Sequence, residues 1–311
     1  MQNNRVAVLM GGVSFERDVS LKSGQAIAAA LREKGHDVVE VDLKEESIAP
    51  VLAVKPDVAF IALHGRFGED GGVQSLLEEV GLPYVGSDRQ ASRAGMDKMA
   101  SKCFFITHDV PTAPFRLITQ AQRLEYMDAF IEEIGLPLVI KPLRQGSSIG
   151  ISLAHTPDQA AAGLDRAFKY GHQAMIERYI KGREFTVGIL DNTALPVIEL
   201  KHKREFFDFD AKYADSETER ILQPEISRQD YDRIQEAALN AHNALGCRHL
   251  SRVDVMQEFD GCIYVLEVNT IPGFTSKSLF PLAAREVGVD FNELCDRLVR
   301  LAMAAPAPLG I

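Results

Sequence analysis

Short apolar runs alternate with amphipathic segments over the first third of the chain. Residues 5–10, 38–42 and 57–63 are apolar along most of their length, and an apolar face with helical spacing lies between the first two runs. Strands that are apolar throughout are typical of parallel sheets covered on both faces. The pattern therefore predicts a small parallel sheet flanked by helices. Ligands of such sheets lie beyond the carboxyl ends of the strands, here at residues 11–17 and 64–72.

The pattern changes in the second third of the chain. A long helical stretch is predicted from residue 87 towards residue 108, and two prolines shortly after it mark a boundary. Strands are then predicted at residues 138–141 and 149–153, on either side of a segment rich in Gly and Ser at residues 144–148. This arrangement is typical of a hairpin with a flexible tip. It indicates α+β rather than α/β structure for this part.

The last third combines strands with one segment that has no clear period. Residues 185–190 and 195–200 are predicted strands, and residues 227–245 are a predicted helix capped by Ser227. The intervening residues 201–220 are dense in charges and aromatic side chains, which predicts a long loop. Long loops inside compact domains are often lids over a site.

A hairpin near the C-terminus carries acidic residues on one face. Two apolar runs flank Asp260 and Gly261, a strong signal for a two-residue turn. Residues that face each other would then have numbers summing to 521, which places Asp254 opposite Glu267 and Arg252 opposite Asn269. Because side chains alternate between the faces of a strand, these four share one face.

The other face of this hairpin is apolar, with Val253 opposite Val268 and Val255 opposite Leu266. Like charges that face each other destabilise a sheet, so the paired carboxylates need protons or cations. Oxygen ligands without a nearby His or Cys favour Mg²⁺ or Mn²⁺ over zinc. The alternative interpretation is a solvated sheet face on which the arginine neutralises the acids. The pattern alone leaves both interpretations open.

A second candidate feature follows the strand at residues 138–141. Lys141 ends the strand, and the Gly-Ser segment after it offers backbone N–H groups and hydroxyls suited to phosphate oxygens. When these residues are considered alone, an ordinary flexible hairpin without a ligand also explains them. Neither a P-loop nor the GxGxxG dinucleotide motif is present in the sequence.

Composition narrows the class of protein. The chain has 311 residues, which predicts two or three domains, and 46% apolar residues exclude a disordered chain. A net charge of -10 argues against general nucleic-acid binding. The four cysteines form no CxxC pair, so reduced thiols are expected. Without a 20-residue apolar run or a signal peptide, the protein is expected to be cytoplasmic and to have no membrane partner.

Eight segments together resemble one enzyme family. In chain order they are GGVSFERDVS, HGRFGEDGG, MDK, IKPLRQGSSIG, IERYIKGREFTV, DAKYADSETE, SRVDVM and LEVNTIPGFTSKS. Their order and spacing resemble the D-alanine–D-alanine ligases of the ATP-grasp superfamily, from about residue 6 to residue 281. The resemblance implies an ATP-grasp fold, α/β and α+β, with an N-terminal Rossmann-like parallel-sheet domain. It implies domains at residues 1–90, 91–179 and 180–311, the last with the metal site and lid.

The implied reaction joins two D-alanine molecules at the cost of ATP, through an acyl phosphate, for peptidoglycan precursor synthesis. The implied cofactors are ATP and two Mg²⁺ or Mn²⁺ ions, and the implied assembly is a homodimer. Alternatives are a D-alanine–D-lactate ligase or another ATP-grasp carboxylate–amine ligase, and a non-catalytic nucleotide sensor.

The resemblance also implies a role for each matched residue. The catalytic residues it implies are Glu16, Ser147, Tyr213, Arg252 and Gly273. The nucleotide contacts are Lys98, Lys141, Ser148, Glu177, Tyr179, Ile180, Glu184 and Lys212. The D-alanine contacts are Glu16, His64, Ser278 and Leu279. The metal ligands are Asp254, Glu267 and Asn269.

Four residues depart from the family's pattern. Gln145 stands where many relatives have Glu, and Lys277 stands where many have His. His249 and Ser251 stand where glycines are common. None of the four removes a matched ligand or catalytic group.

Overall fold

The computed structural model describes residues 3–146, 148–201 and 218–304 of the chain, without the side chains of residues 123–125. The N-terminal part is the expected parallel sheet, in the order β2-β1-β3-β4. Its strands are β1 (Arg5–Gly11), β2 (Asp37–Leu43), β3 (Val58–Ile61) and β4 (Tyr84–Val85). The helices between them are α1 (Arg17–Glu33), α2 (Ala49–Ala53) and α3 (Gly72–Glu79). The interiors of β1, β3 and β4 are buried, as the continuous apolar runs predicted. The prediction was wrong for β2, which lies at the edge of the sheet and leaves Glu40 and Asp42 exposed.

The helical stretch expected from residue 87 to residue 108 consists of two helices with a break between them. They are α4 (Arg89–Met96) and α5 (Lys98–Thr107), and Asp97 between them is extended, with ψ 106°. The Asp97 carboxylate accepts hydrogen bonds from the N–H groups of Met99 and Ala100 and so caps α5. An Asp side chain that satisfies the first free N–H groups of a helix favours a new start over continuation.

The central part is an antiparallel sheet in the order β5-β8-β6-β7. Its strands are β5 (Phe115–Thr119), β6 (Leu138–Pro142), β7 (Ser152–Ala154) and β8 (Gln173–Arg178). Helices α6 (Arg123–Ile134) and α7 (Pro157–Ala167) belong to the same part. The hairpin expected around the Gly-Ser segment is confirmed, since β6 and β7 pair on either side of it.

The third sheet is antiparallel and has the order β12-β11-β9-β13-β14, with β10 paired to β9. Its strands are β9 (Gly182–Leu190), β10 (Thr193–Ala194), β11 (Ile198–Lys201), β12 (Glu219–Ile221), β13 (Leu250–Glu258) and β14 (Ile263–Asn269). The remaining helices are α8 (Arg228–Ala244), α9 (Leu279–Glu286) and α10 (Phe291–Ala304). Ser227 caps α8 as predicted, because its Oγ accepts from the Asp230 N–H.

Two predictions in this part need correction. The strand expected at residues 195–200 is β11, which begins only at Ile198. The loop expected at residues 201–220 is shorter, because Lys201 ends β11 and pairs with Glu219 in β12. Residues 202–217, where the lid was predicted, lie outside the described residues.

One apolar core joins the first sheet to the C-terminal helices. Buried side chains of β1 and α1, such as Val6 and Ile27, share this core with Phe280, Leu294 and Leu298 from α9 and α10. The two ends of the chain therefore form one packed unit that supports both β1 and the third sheet. Among the described residues, no helix is both long and apolar enough to cross a membrane. All four cysteines are free thiols.

Two of the departures from the family's pattern form buried hydrogen bonds. His249 has φ +63°, a left-handed conformation that explains why glycine is common there. Its Nδ1 accepts from the backbone N–H of Gly86 at 3.2 Å, which ties β13 to the end of β4. Ser251 Oγ lies 2.7 Å from Nδ1 of the buried His242. Burial lowers the pKa of both histidines to about 4.

These histidines make the folded state sensitive to acid. Their pKa is below its ordinary value of 6.5 in the folded chain, so the unfolded chain binds more protons below that pH. Stability is therefore lost as the pH falls from about 6.5 towards 4. We expect His249→Asn, which tolerates the positive φ but does not titrate, to lose about 1 kcal/mol less unfolding free energy than the parent between pH 7.5 and pH 5.5.

Urea unfolding at the two pH values measures this difference. The exposed His155→Asn serves as the matched control and should behave as the parent does. An equal loss in the parent and in His249→Asn would show that His249 is not held neutral by the fold.

Candidate active site

One cleft of about 1410 Å³ lies among the three sheets. Every described residue with an implied role lines it. These are Glu16, His64, Lys98, Lys141, Ser148, Glu177, Tyr179, Ile180, Glu184, Arg252, Asp254, Glu267, Asn269, Gly273, Ser278 and Leu279. Ser147, Lys212 and Tyr213 lie outside the described residues. The chain therefore brings together residues from its N-terminal, central and C-terminal parts.

The register of the acidic hairpin is as predicted at the cleft and different near the turn. Asp254 faces Glu267 and Arg252 faces Asn269, in agreement with a sum of 521. The prediction for Val255 was wrong, because it pairs with Val265 across a bulge that makes Leu266 the additional residue.

The reason is that the hairpin contains two irregularities that cancel. The loop has three residues rather than two, since the Glu258 N–H donates to the Cys262 carbonyl and Gly261 has φ +89°. Pairs near the turn therefore sum to 520, as Met256 and Tyr264 do. The bulge beyond them restores the expected register at the acids and turns Leu266 towards the cleft. Bulges of this kind often re-aim side chains next to active sites.

Arg252 and Asp254 form a bidentate ion pair on this hairpin. The Arg252 Nε and Nη2 donate to the two Asp254 oxygens at 2.9 and 2.7 Å. Thr186 Oγ1 and Asn269 Nδ2 also donate to Asp254, at 2.6 and 3.1 Å. Burial would lower the pKa of Arg252, but the adjacent Asp254 carboxylate raises it above its ordinary value. The arginine therefore neutralises Asp254, as the alternative interpretation of the hairpin expected, but that interpretation was wrong about a solvated face, because Asp254 is buried.

The same face has the chemistry of a site for a hard cation. Its oxygen donors are the carboxylates of Asp254 and the half-buried Glu267 and the amide of Asn269. The described residues include no cluster of three or more His, Cys, Asp or Glu that could hold a metal ion. Two carboxylates and an amide suit Mg²⁺ or Mn²⁺, which complete their coordination with water and phosphate oxygens. The donor set fits such an ion, and the ion pair with Arg252 would have to share Asp254 with it.

A buried carboxylate lies at the other side of the cleft between two lysines. Glu177 is 1% exposed, and its oxygens accept from Lys102 on α5 and Lys141 on β6. Burial would raise the pKa of Glu177, but the two lysines hold it at about 2. Burial lowers the pKa of Lys102, and Glu177 opposes that shift. Lys102 had no predicted role, because a lysine on a helix usually lies in solvent.

The Gly-Ser segment is tied to the start of α5. Lys98 Nζ donates to the Gln145 carbonyl at 2.5 Å, and Arg144 Nε donates to the Asp97 carboxylate at 2.8 Å. Gln145 thus contacts Lys98 through its backbone carbonyl, and a Glu at this position, as in many relatives, would offer the same carbonyl. Lys98 and Lys141 face the same cleft from α5 and β6.

A third set of residues that line the cleft, including Glu16, His64 and Glu69, lies near the carboxyl ends of the parallel strands. His64 is 5% exposed, and its Nδ1 lies 3.7 Å from Glu69 Oε1. Gly65 has φ +66°, and a side chain there would come within 3.0 Å of the Glu16 carboxylate. Glu69 was missed from the sequence, although it lies inside the HGRFGEDGG segment. Its proximity to His64 is a consequence of the turn at residues 65–68.

Ser278 and Gly273 line the cleft near His64, because the N–H of Phe274 donates to Ser23 Oγ, which lies 3.4 Å from His64 Nε2. Ser278 is the N-cap residue of α9, and Leu279 is its first residue. The Ser278 Oγ accepts from the Thr275 N–H at 3.0 Å rather than capping the helix. The first N–H groups of a helix favour an anion at this position. Lys277 is exposed and is not among the residues that line the cleft.

Comparison with known proteins agrees with this layout. The family model described as D-ala D-ala ligase C-terminus matches residues 104–300, and the model described as D-ala D-ala ligase N-terminus matches residues 45–87. The chain belongs to the D-alanine–D-alanine ligase family.

Similar proteins of this family match over nearly their whole length. The D-alanine–D-alanine ligase of Geotalea uraniireducens is 43% identical over 303 residues, which cover 97% of this chain and 96% of that protein. The ligase of Geobacter sulfurreducens is 42% identical, with 96% of this chain and 94% of that protein covered. The expected ATP-grasp ligase identity is thereby confirmed.

Solved structures of the family have the same fold. The D-alanine–D-alanine ligase from Bacillus anthracis complexed with ATP has a TM-score of 0.86 at 34% identity, over 96% of this chain and 97% of that one. The VanG D-Ala:D-Ser ligase from Enterococcus faecalis has the same TM-score at 28% identity, over 97% of this chain and 100% of that one. The ATP-grasp fold with its N-terminal parallel sheet is therefore confirmed.

The two carboxylates of the hairpin should differ in their effect on stability. Asp254→Asn removes the charge that compensates the largely buried Arg252 side chain, which is 13% exposed, and should cost about 3 kcal/mol of unfolding free energy. Glu267→Gln removes a half-buried carboxylate without breaking that pair and should cost less than about 1 kcal/mol. Urea unfolding with a chelator present and without nucleotide measures both. A cost for Glu267→Gln equal to that for Asp254→Asn would contradict the assignment of Asp254 as the partner of Arg252.

Proposed function

We propose that the protein ligates two D-alanine molecules to D-alanyl-D-alanine, with ATP converted to ADP and phosphate, for peptidoglycan precursor synthesis. The observation that carries the proposal is the content of the single cleft. Its lining includes two lysines suited to phosphate, the arginine–carboxylate hairpin, and both Glu16 and His64. A carboxylate-activating ligase needs each of these three groups.

The nucleotide would lie between the central and third sheets, whose residues line the cleft. The relative from Bacillus anthracis that is complexed with ATP supports the use of ATP. Lys98 and Lys141 would meet the phosphates, together with Ser148 and Lys212. Tyr179 and the buried Ile180 would line the base, and Glu177 and Glu184 would meet adenine and ribose.

Asp254, Glu267 and Asn269 would hold two Mg²⁺ or Mn²⁺ ions. When bound, such ions offset the negative charge of the phosphates during transfer. Arg252 contributes a fixed positive charge at the same place, and the bidentate pair with Asp254 sets the direction of its guanidinium.

The first D-alanine would place its ammonium at Glu16, beside His64, and direct its carboxylate towards the γ-phosphate. A carboxylate oxygen forms a bond to the γ-phosphorus, the bond to the ADP oxygen breaks, and an acyl phosphate results. Phosphate is a far better leaving group than hydroxide. The carbonyl carbon is then open to attack.

The second D-alanine would bind with its carboxylate at Ser278 and Leu279, where the N-terminus of α9 favours an anion. Its amine, after losing a proton, attacks the acyl phosphate, and phosphate leaves once the tetrahedral intermediate collapses. The backbone N–H of Gly273 would stabilise the oxyanion of that intermediate. Ser147 and Tyr213 are proposed to link Glu16 to the lid.

The proposal includes the three domains at residues 1–90, 91–179 and 180–311, a homodimer and a cytoplasmic location. These follow from the resemblance to the family. The alternative acceptor is a hydroxyl compound such as D-lactate, and the D-Ala:D-Ser relative makes D-serine a further acceptor to test.

ADP release should depend on D-alanine and not on L-alanine, because an ammonium held at Glu16 and a carboxylate directed to the γ-phosphate would fix two of the four groups on the α-carbon. Release with D-alanine alone, and a dipeptide product by mass spectrometry, are the expected results. Arg252→Met should lower kcat/KM by at least about a hundredfold, since it removes charge at the transferred phosphoryl group.

The exposed Arg228→Met is the matched control and should retain parent activity. Predominant ester or D-alanyl-D-serine formation, with D-lactate or D-serine competing at neutral pH, would replace the D-alanine acceptor by that compound. Binding of ATP without ADP release under any of these conditions would favour the nucleotide sensor instead.

A further inference from the structure

We propose that Lys102 is a positioning residue for the nucleotide, which keeps Glu177 paired while Lys141 turns from Glu177 to the phosphates of ATP. The proposal rests on the use of ATP proposed above. Lys102 does not line the cleft and would act only through Glu177.

The placement of Lys102 is unusual for a lysine. Its side chain is 3% exposed, one helical turn after Lys98 on α5, so that Lys98 faces the cleft and Lys102 lies beneath it. Its ammonium donates to Glu177 and, at 2.6 Å, to Thr112 Oγ1. It also lies 5.6 Å from the centre of the Phe115 ring. A fully buried ammonium with three such contacts is held in one position.

The network continues into the third sheet. Thr112 Oγ1 donates to the Val265 carbonyl of β14 at 3.0 Å, on the strand that carries Glu267. Lys102 therefore connects α5, the central sheet and the acidic hairpin. A shift of its ammonium would change its contacts with Glu177 and with Phe115, the first residue of β5, at the same time.

The negative charge of the buried Glu177 explains why Lys102 is needed in addition to Lys141. Glu177 is buried, whereas Lys141 is 14% exposed at the edge of the cleft. If Lys141 moves to a phosphate, Glu177 still has the Lys102 ammonium beside it. Without Lys102, the same movement would leave a buried carboxylate with no counter-charge, which is strongly unfavourable. Lys141 would then remain on Glu177 and bind ATP poorly.

The test is ATP binding by calorimetry in the full chain. Lys102→Met keeps the length and apolar stem of the side chain but deletes its charge. We expect ATP affinity to fall by about tenfold or more, with kcat at saturating ATP changed much less. Lys34→Met, which breaks the ion pair with Glu293 away from the cleft, is the matched control and should bind ATP as the parent does.

A double-mutant cycle separates this role from packing. If Lys102 acts through Glu177, the loss caused by Lys102→Met should largely disappear in a Glu177→Gln background, because no carboxylate then needs compensation. A merely structural lysine would add its loss to that of Glu177→Gln. Additive losses would overturn the proposal.

Two further outcomes are decisive. If Lys102→Met does not fold, Lys102→Gln retains a donor to Thr112 without the charge and should show the same loss of ATP affinity. If the parent and Lys102→Gln bind ATP with affinities that agree within twofold, the proposed role of Lys102 is overturned, while the proposed function is not affected. Failure of the parent chain to bind ATP would overturn the proposed function, and with it this inference.

Discussion

A carboxylate that is buried in the wall of a cleft must keep a cation beside it, and this constraint sets the layout of the site. Glu177 meets it with Lys102 and Lys141, and Asp254 meets it with Arg252. In each case one of the cations, Lys141 or Arg252, lines the cleft and is suited to a phosphate or a developing negative charge. Lys141 and Arg252 therefore stabilise the buried carboxylates and are also proposed to meet the nucleotide, whereas Lys102 stays with Glu177.

The strand geometry delivers these charges to one place. The bulge at Asp254 and Val255 turns both Leu266 and Glu267 towards the cleft, which a regular strand would not do with consecutive residues. On the opposite side, the break at Asp97 lets α5 begin at Lys98, so that Lys98 and Lys102 point towards the central sheet. A continuous helix from residue 87 to residue 108 would carry these lysines in a different direction.

The chain also has its own way of joining the walls of the cleft. His249 has a left-handed backbone conformation at a position where glycine is common. The hydrogen bond that its ring accepts from the Gly86 N–H offsets the strain of that conformation. This contact connects the end of the parallel sheet to the strand that carries Arg252 and Asp254. Because the ring is buried, the connection depends on a neutral histidine, which a glycine at the same position would not require.

Much of the molecule could be predicted from the sequence, for identifiable reasons. The parallel sheet followed from continuous apolar runs, and the pairing of Asp254 with Glu267 followed from period two and a turn signal. The family resemblance identified the cleft residues, since they lie in short segments with characteristic order. These features depend on local pattern, which the sequence carries directly.

Other features were decided only by tertiary structure. The register at the acids is as predicted because a longer loop and a bulge offset each other, and neither has a local signal strong enough to predict. The role of Arg252 as the partner of Asp254 depends on side-chain direction. Lys102 is ordinary in an amphipathic pattern, and only the tertiary structure buries its ammonium against Glu177 of β8 and near Phe115 of β5. Burial and pairing of charges depend on residues far apart in the chain, so the sequence determined the candidate groups and the fold decided which of them meet.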